Sequence, residues 1–99
     1  MAAYILIDRL SVTDPKAFGA YQTLASPAVS SHDGHYLLPD TMQIEALEGN
    51  WHPNRIVLIE FEDADQAREW WNSSEYARAR ALHHSATISN IILVDGATS

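Results

Sequence analysis

The sequence predicts an α+β fold in which helices pack on one face of a four-stranded antiparallel sheet. Apolar runs rich in β-branched residues alternate with segments whose apolar residues recur at helical spacing. Two helix-start signals, Asp14-Pro15 and Asp63 with Gln66, open the helical segments. The resulting order, β-α-β-β-α-β, is the split βαβ arrangement of ferredoxin-like folds. We expect it to form one domain over residues 1–99.

The first strand and the first helix are predicted in the N-terminal third of the chain. Residues 4–12 are apolar and β-branched, which is typical of a strand. The helix that follows should break or kink at Pro27, because proline lacks the backbone donor, and residues 28–32 should form a turn or a bent last segment. Gly34 is expected to end it.

The second strand is predicted in two pieces. Residues 35–38 form the first piece, a turn or bulge follows at residues 39–41, and residues 43–48 resume the strand. A loop containing glycine and proline leads to Arg55–Phe61, which carries four consecutive aliphatic residues and is the clearest strand of the chain.

The second half of the chain predicts two more helical stretches and a last strand. One helix carries Trp70 and Trp71, and two adjacent side chains cannot face the same way, so one of them should pack inward. Residues 72–74 predict a break and a new cap, and residues 76–84 a third helical stretch. Thr87–Asp95 is predicted as the last strand.

The last strand indicates that both faces of the sheet are covered. Its side chains alternate between the two faces, with Ile88, Asn90, Ile92 and Val94 on one and Ile91 and Leu93 on the other. The helices cover one face only, and a second copy of the sheet is the simplest cover for the other. We therefore expect a homodimer with facing sheets, a dimeric α+β barrel.

Composition disfavours several classes of partner. Thirteen acidic and six basic residues give a net charge of −7, which disfavours nucleic acid and anionic membrane surfaces. The chain has no cysteine and no His or acidic set at a recognised metal spacing, so we expect no metal site. No cofactor signature is present either. The apolar N-terminal run is short and lacks a basic leader, which predicts a soluble, cytoplasmic protein.

Six strings of the sequence carry a resemblance to a known family. In order, they are AYILID, VTDPKAFGAY, LASPAVSSHDGHY, ALEGNWHP, RIVLIEF and WWNSSEYARARAL. Together they resemble a bacterial family of small proteins, classed as a domain of unknown function, in the dimeric α+β barrel superfamily. The resemblance runs over residues 4–96. It implies a ferredoxin-like protomer and, by analogy with small monooxygenases, muconolactone-type isomerases and haem-binding relatives, a cleft for small, often aromatic metabolites.

The chain departs from this family where the family usually has arginine. His35, Pro39, His52 and His83 stand at those positions. Arginine is a permanent cation, whereas histidine titrates near neutral pH and exchanges protons. If the family arginines hold an anionic ligand, these replacements weaken that clamp and create acid/base groups.

Two carboxylates are candidates for a catalytic role. Asp8 and Glu60 lie in mid-strand, in two strands that should be adjacent, where an unpaired carboxylate is costly to bury. The functional interpretation is a general base with a raised pKa. The alternatives are a salt bridge to Arg9, Arg55 or a subunit partner, or simple exposure at a strand edge.

Two histidines complete the predicted catalytic set. His35 begins a strand and His83 ends a helix, so both are expected to reach one end of the sheet, one as base and the other as acid or oxyanion partner. The alternative for His83 is a favourable cation at a helix C-terminus, and for His35 an exposed strand end.

The remaining candidates are for substrate binding. Tyr36, Trp70 and Tyr76 are assigned to the walls of an aromatic-binding cleft, and Arg55 is assigned to the same site. Tyr21 and Trp71 could line the same cleft, but at helical spacing such aromatic residues are more often part of the core.

Three functions stay open on the sequence alone. The first is a cofactor-independent acid/base enzyme, of the isomerase or cyclase type, that acts on a small metabolite, aromatic or otherwise. The second is a non-catalytic homodimeric domain that binds a small ligand or a partner. The third, from the superfamily, is a small cofactor-free monooxygenase.

Overall fold

A computed structural model describes residues 2–39 and 41–96 and shows four strands and three helices within them. The strands are β1 (Ala3–Val12), β2 (His35–Tyr36), β3 (Arg55–Phe61) and β4 (Thr87–Asp95). The helices are α1 (Pro15–Ser31), α2 (Ala64–Asn72) and α3 (Ser74–Ala86). The strand order across the sheet is β2-β3-β1-β4, and every neighbouring pair is antiparallel. The predicted ferredoxin-like α+β fold is confirmed.

The predicted helix starts are also confirmed. The carboxylate of Asp14 accepts a hydrogen bond from the backbone N–H of Ala17 at 3.1 Å, at the start of α1. At the start of α2, the carboxylate of Asp63 accepts a hydrogen bond from the Gln66 N–H. At the start of α3, the Ser73 hydroxyl accepts one from the Tyr76 N–H at 3.2 Å. Each cap satisfies a donor that the first helical turn leaves without a partner.

The expected break at Pro27 does not occur, because α1 is continuous to Ser31. Pro27 is exposed, whereas Ala28 and Val29, in the turn that follows it, are buried in the core. Packing of that last turn offsets the hydrogen bond that proline removes, since burial rather than propensity supplies most helix stability in proteins.

The residue that reverses the chain after α1 is Asp33, with φ 58°, not Gly34 as predicted. Asp is one of the few non-glycine residues that adopt this left-handed conformation at low cost. Gly34 is required for a different reason, because its position has no room for a side chain. A Cβ atom there would lie 2.8 Å from the Phe61 ring and 2.8 Å from a methyl group of Val29.

The second predicted strand is much shorter than expected. β2 has two residues, and the Leu37 N–H adds one further hydrogen bond to the Leu58 carbonyl at 2.9 Å. The strand predicted over residues 43–48 is wrong, because residues 41–52 form no regular element and only Met42 among them is even partly buried. We call residues 41–52 the arm. An extended segment becomes a strand only beside a partner strand, and none pairs with the arm within the described residues.

The core lies between the helices and the face of the sheet that we call the inner face. Strand positions that pair in register share a face, and the inner positions are buried: Ala3, Ile5, Ile7, Ile59 and Phe61. The other face, here the outer face, carries Tyr4, Leu6, Leu58, Ile92 and Val94. The predicted alternation in β4 is confirmed, since Ile92 and Val94 are 52% and 45% exposed while Ile91 and Leu93 pack against the core.

Among the described residues, no helix is long and apolar enough to cross a membrane. The cytoplasmic location stays a prediction.

Candidate functional site

A cavity of about 380 Å³ lies between α1 and the inner face near the β2 edge of the sheet. We call it the α1 cleft. Its walls combine two arginines, two tyrosines and apolar side chains, including Arg9, Arg55, Tyr21, Tyr36, Phe18 and Val57. The size and the mixture of aromatic walls with a few polar groups are typical of small-molecule sites.

Arg9 is the central charge of this cleft. It follows Ile5 and Ile7 on the inner face of β1 and is only 8% exposed. Its Nε and Nη2 atoms each lie 3.2 Å from Nε2 of His83, and its guanidinium lies 4.6 Å from the centroid of the Phe18 ring. These partners are neutral, and within the described residues no carboxylate forms an ion pair with Arg9.

A second cation shares the floor of the cleft. Arg55 lies directly opposite Arg9 in the β1–β3 ladder, so both guanidinium groups start from one face of the sheet. Like charges in this arrangement repel each other. Burial first, and then the charge of Arg55, lowers the pKa of Arg9 from 12.5, although an arginine remains a cation at neutral pH. Arg9 therefore keeps its positive charge on the floor of the α1 cleft.

His83 holds Arg9 in place from α3. Its side chain is 3% exposed, and its ring centroid lies 4.7 Å from that of Tyr21. Burial first, and the charge of Arg9 second, lowers the pKa of His83 from 6.5 to about 4. The imidazole is therefore neutral at pH 7. Because Nε2 accepts from Arg9, the ring proton belongs on Nδ1, which lies 3.5 Å from the Thr87 hydroxyl.

The tyrosines supply neutral donors around the same charge. The hydroxyl groups of Tyr21 and Tyr76 lie 3.4 Å apart, and burial raises the pKa of both. Burial also raises the pKa of Tyr36 to about 12. All three phenols keep their protons at neutral pH. Tyr21 and Tyr36 line the α1 cleft and can donate hydrogen bonds to an acceptor there, whereas Tyr76 is buried behind Tyr21. Together with Arg9, Tyr21 and Tyr36 make a site suited to an oxyanion.

The predicted carboxylates lie on the outer face, away from this cleft. Asp8 pairs with Ile56 in register and Glu60 with Tyr4, which places the two carboxylates four residues apart, roughly 13 Å along the strands. Asp8 Oδ2 accepts a hydrogen bond from the Trp51 indole at 3.1 Å. Its Oδ1 atom is buried and has no hydrogen-bond partner among the described residues.

The two predicted histidines are not brought together. His35 pairs with Glu60 at one end of the sheet, on the outer face, whereas His83 contacts Arg9 near the other end, on the inner face. The expectation that both reach one end of the sheet is therefore wrong. Successive side chains along a strand point to opposite faces of the sheet, so His35 points outward where Tyr36 points inward. The helix that carries His83 packs on the inner face, on the other side of the sheet from His35.

The substrate-binding set divides in a similar way. Tyr36 and Arg55 both line the α1 cleft, as that assignment requires. Trp70 and Tyr76 are fully buried in the core, and Trp71 is the partly exposed member of the tryptophan pair. The catalytic and binding roles of all these residues remain predictions.

Sequence reasoning missed Arg9 as a site residue. A signal was present, since Arg9 follows Ile5 and Ile7 at a spacing of two and so belongs to the buried face of its strand. Tyr21 lies on the apolar face of α1, and the sequence left it open whether this residue lines a cleft or belongs to the core.

The fold and the cleft define the chain as a small α+β protein of ferredoxin-like topology with an aromatic-lined cavity that contains a buried arginine. The chain belongs to the family described as domain of unknown function DUF1330, whose model matches residues 2–97. The resemblance to a family of unknown function is thus confirmed. No curated protein matches the chain.

Solved structures share the fold. The chain is similar to RPA0582, a protein of unknown function from Rhodopseudomonas palustris whose crystal structure was determined as a structural genomics target. The TM-score is 0.71 at 15% identity, over 99% of this chain and 84% of that one. A crystal structure of methylated RPA0582 gives a TM-score of 0.67 at 17% identity, over 98% of this chain and 82% of that one. At these identities the likeness concerns the fold alone.

Proposed function

We propose that this protein is a homodimer that binds a small organic anion, a carboxylate or an enolate-like oxyanion on an apolar or aromatic body, in the α1 cleft. The observation that carries the proposal is the environment of Arg9. It is a buried cation that faces a ligand-sized cavity and is held by a neutral histidine.

The energetics of Arg9 favour an external counter-ion. Removing a charged group from water costs several kcal/mol unless a partner compensates for it, and a neutral imidazole compensates only in part. A ligand carboxylate would supply the missing charge and could accept from Arg9 and from the hydroxyl groups of Tyr21 and Tyr36. The ring of Phe18 and the side chain of Val57 would contact its apolar body.

Binding is better supported than catalysis by the groups that line the cleft. Those described there include donors and cations but no carboxylate and no imidazole that could act as a general base. His83 is close, but its Nε2 lone pair is used by Arg9. One observation still favours the acid/base enzyme as a second candidate: an arginine beside tyrosine donors is an arrangement that stabilises an enolate. No observation favours the monooxygenase.

Benzoate should bind to the wild-type protein, and benzamide, its neutral counterpart, should not. The expected site is visible in an ¹H–¹⁵N titration as shifts confined to α1, β2, β3 and the part of β1 around Arg9. Arg9→Met should lower benzoate affinity at least about tenfold, since charge-assisted hydrogen bonds are worth about 1.5–3 kcal/mol. The variant should still fold, because an apolar side chain of similar length is tolerated in place of a buried charge.

Arg68→Met is the matched control. Arg68 is an exposed arginine on α2, ion-paired with Asp65 at 3.1 Å and remote from the α1 cleft, so its removal should leave benzoate affinity unchanged. Equal binding of benzoate and benzamide, or an Arg9→Met protein that binds benzoate as the wild type does, would refute the anion site.

The dimer part of the proposal is supported by the outer face. Its large apolar residues remain in contact with water, with Ile88 57% exposed and Ile92 52% exposed. A monomer rarely leaves such a patch uncovered. The outer face of a second copy has the same shape and composition and would cover this patch. Asp8 lies on the same face, and a polar group of the second copy could donate to its buried Oδ1 atom, which accepts no hydrogen bond from the described residues.

Ile92→Asp should convert the dimer to a monomer at micromolar concentration in sedimentation equilibrium. The substitution would place a charge on each side of the contact, and exposure of Ile92 in the isolated chain should let the protomer keep its fold. Ala20→Asp adds the same charge on the solvent side of α1 and should leave the dimer intact. A wild-type protein that sediments as a monomer at these concentrations would exclude the facing-sheet assembly.

A further inference from the structure

The α1 cleft is larger than a single aromatic acid requires. Its volume of about 380 Å³ is that of about a dozen water molecules, at roughly 30 Å³ each in the liquid. Arg9 occupies one end of it, 4.6 Å from the ring of Phe18 near the start of α1. The wall continues along α1 to Ser26, just over two helical turns beyond Phe18 and so about 12 Å along the helix axis. A ligand that fills the cleft is therefore elongated.

Arg9 offers such a ligand one defined edge of its guanidinium. The Nε and Nη2 atoms each lie 3.2 Å from Nε2 of His83, so the side of the group that carries Nε is already occupied. Nη1 and the second proton of Nη2 remain for an acceptor. A carboxylate is therefore expected at the end of the guanidinium, where both Nη atoms can donate to it. The rest of the ligand then extends into the remainder of the cleft.

The wall that α1 contributes changes from apolar to polar along its length. Phe18, Gln22 and Ser26 recur every four residues, so they form one row on the helix, and all three line the cleft. The aromatic member of the row lies beside Arg9, and the two polar members follow. On the floor, Val57 comes two positions after the level of Arg9 and is apolar. The cleft thus has a charged end, an apolar middle and a polar end.

The side chains at the polar end are not used by the helix itself. The hydroxyl groups of Thr23, Ser31 and Ser85 each donate to a carbonyl of their own helix, as short polar side chains often do. Gln22 and Ser26 form no hydrogen bond with the other residues that the structure describes. Both are uncharged, and each can donate and accept. They are therefore suited to a hydroxyl group, which also donates and accepts.

We propose that the α1 cleft takes an elongated hydroxy acid, with its carboxylate on Arg9, its apolar body over Val57 and a terminal hydroxyl group on Gln22 and Ser26. The inference rests on the proposed anion site and names the class of its ligand. Gln22 and Ser26 become specificity-determining residues. An apolar end group in the same place would remove their polar atoms from water without replacing the hydrogen bonds, and this favours the hydroxyl group.

Three cinnamates test the polar end: cinnamate, para-methylcinnamate and para-hydroxycinnamate. They share the carboxylate, the ring and the spacer, and the methyl and hydroxyl groups differ in hydrogen bonding but little in size. Isothermal titration calorimetry should show that para-hydroxycinnamate binds at least about threefold more tightly than para-methylcinnamate, the effect of one uncharged hydrogen bond. The double variant Gln22→Met, Ser26→Ala should lose this preference. Both residues are exposed, so the variant should keep its fold.

Two further variants serve as controls. Ser85→Ala removes the hydroxyl group of an exposed serine on α3, outside the α1 cleft, and should keep the wild-type preference. Arg9→Met should weaken all three acids by the same factor and leave the preference between them, because the two ends of the ligand are bound by separate groups.

The outcomes separate the hydroxyl end from the anion site. If neither benzoate nor any cinnamate binds, the anion site and this inference are both overturned. If benzoate binds and the cinnamates do not, or if the methyl and hydroxyl compounds bind equally well, only the elongated hydroxy acid is overturned. A preference for para-hydroxycinnamate that survives in the Gln22→Met, Ser26→Ala protein also overturns it, since the hydroxyl group would then be bound elsewhere.

Discussion

Trp70→Ala should lower the free energy of unfolding by about 3–5 kcal/mol, the range found when a large aromatic side chain is removed from a core. The side chain of Trp70 is fully buried and packs against Phe61, Trp71 and Tyr76, with ring centroids 5.4, 5.9 and 4.1 Å away. It joins α2 to the sheet on one side and to α3 on the other. The free energy of unfolding of a small domain is about 5–15 kcal/mol in total, so a loss of this size would remove much of the stability of the protein.

Urea denaturation at several protein concentrations measures this effect and separates it from any change in dimer affinity. Trp51→Ala is the matched control, since Trp51 is 58% exposed and its removal should cost about 1 kcal/mol or less. A Trp70→Ala protein as stable as the Trp51→Ala protein would mean that the core does not depend on the α2–α3 junction.

Acid should destabilise the protein by roughly 3 kcal/mol through His83 alone. The pKa of this imidazole is about 4 in the folded protein and about 6.5 when unfolded, so the unfolded state binds more protons between these two values. The contribution of the neutral His83 to the free energy of unfolding is fully present above pH 6.5 and is lost as the pH falls towards 4. At about 1.4 kcal/mol per pKa unit, the difference between these two values corresponds to about 3 kcal/mol.

His83→Gln should remove most of this pH dependence. Glutamine keeps an acceptor for Arg9 but does not titrate, so the difference between the unfolding free energies of wild type and variant should change steadily from pH 7 to pH 4. His84→Gln removes the smallest of the three causes that lower the pKa of His83, so this variant should keep most of the wild-type profile. If His83→Gln and wild type showed parallel profiles, His83 would not be a neutral, buried acceptor.

Local patterns predicted most of the fold because they reflect the same forces that stabilise it. The alternation in β4 predicted its two faces, and Asp63 and Ser73 fixed helix starts through contacts within three residues. The failures came where distant contacts decide. Pro27 lies in a continuous helix because the residues after it are buried in the core. Residues 43–48 have a strand-like sequence, but in one protomer no strand lies beside them.

The candidate site was harder to predict from the sequence, because its central residue, Arg9, is held by His83, which lies 74 positions away in the chain. Arg9 looked like a salt-bridge partner for Asp8, yet the two side chains lie on opposite faces of the same strand. The assignment of Tyr36 and Arg55 to one site did place two residues in the same cleft. Their neighbour Tyr21 could not be distinguished from a core residue without the packing of α1 on the sheet.

The three tryptophans lie in three different environments, and this gives the protein an internal optical reporter. Trp70 is fully buried in the core, Trp71 is partly exposed on α2, and Trp51 lies on the outer face, where its indole N–H donates to Asp8. Indole emission moves to shorter wavelength when water is excluded from the ring. A second copy that covers the outer face would shield chiefly Trp51 from water. Dilution that dissociates the dimer would expose Trp51 again, and the tryptophan emission of the unlabelled protein would then shift to longer wavelength.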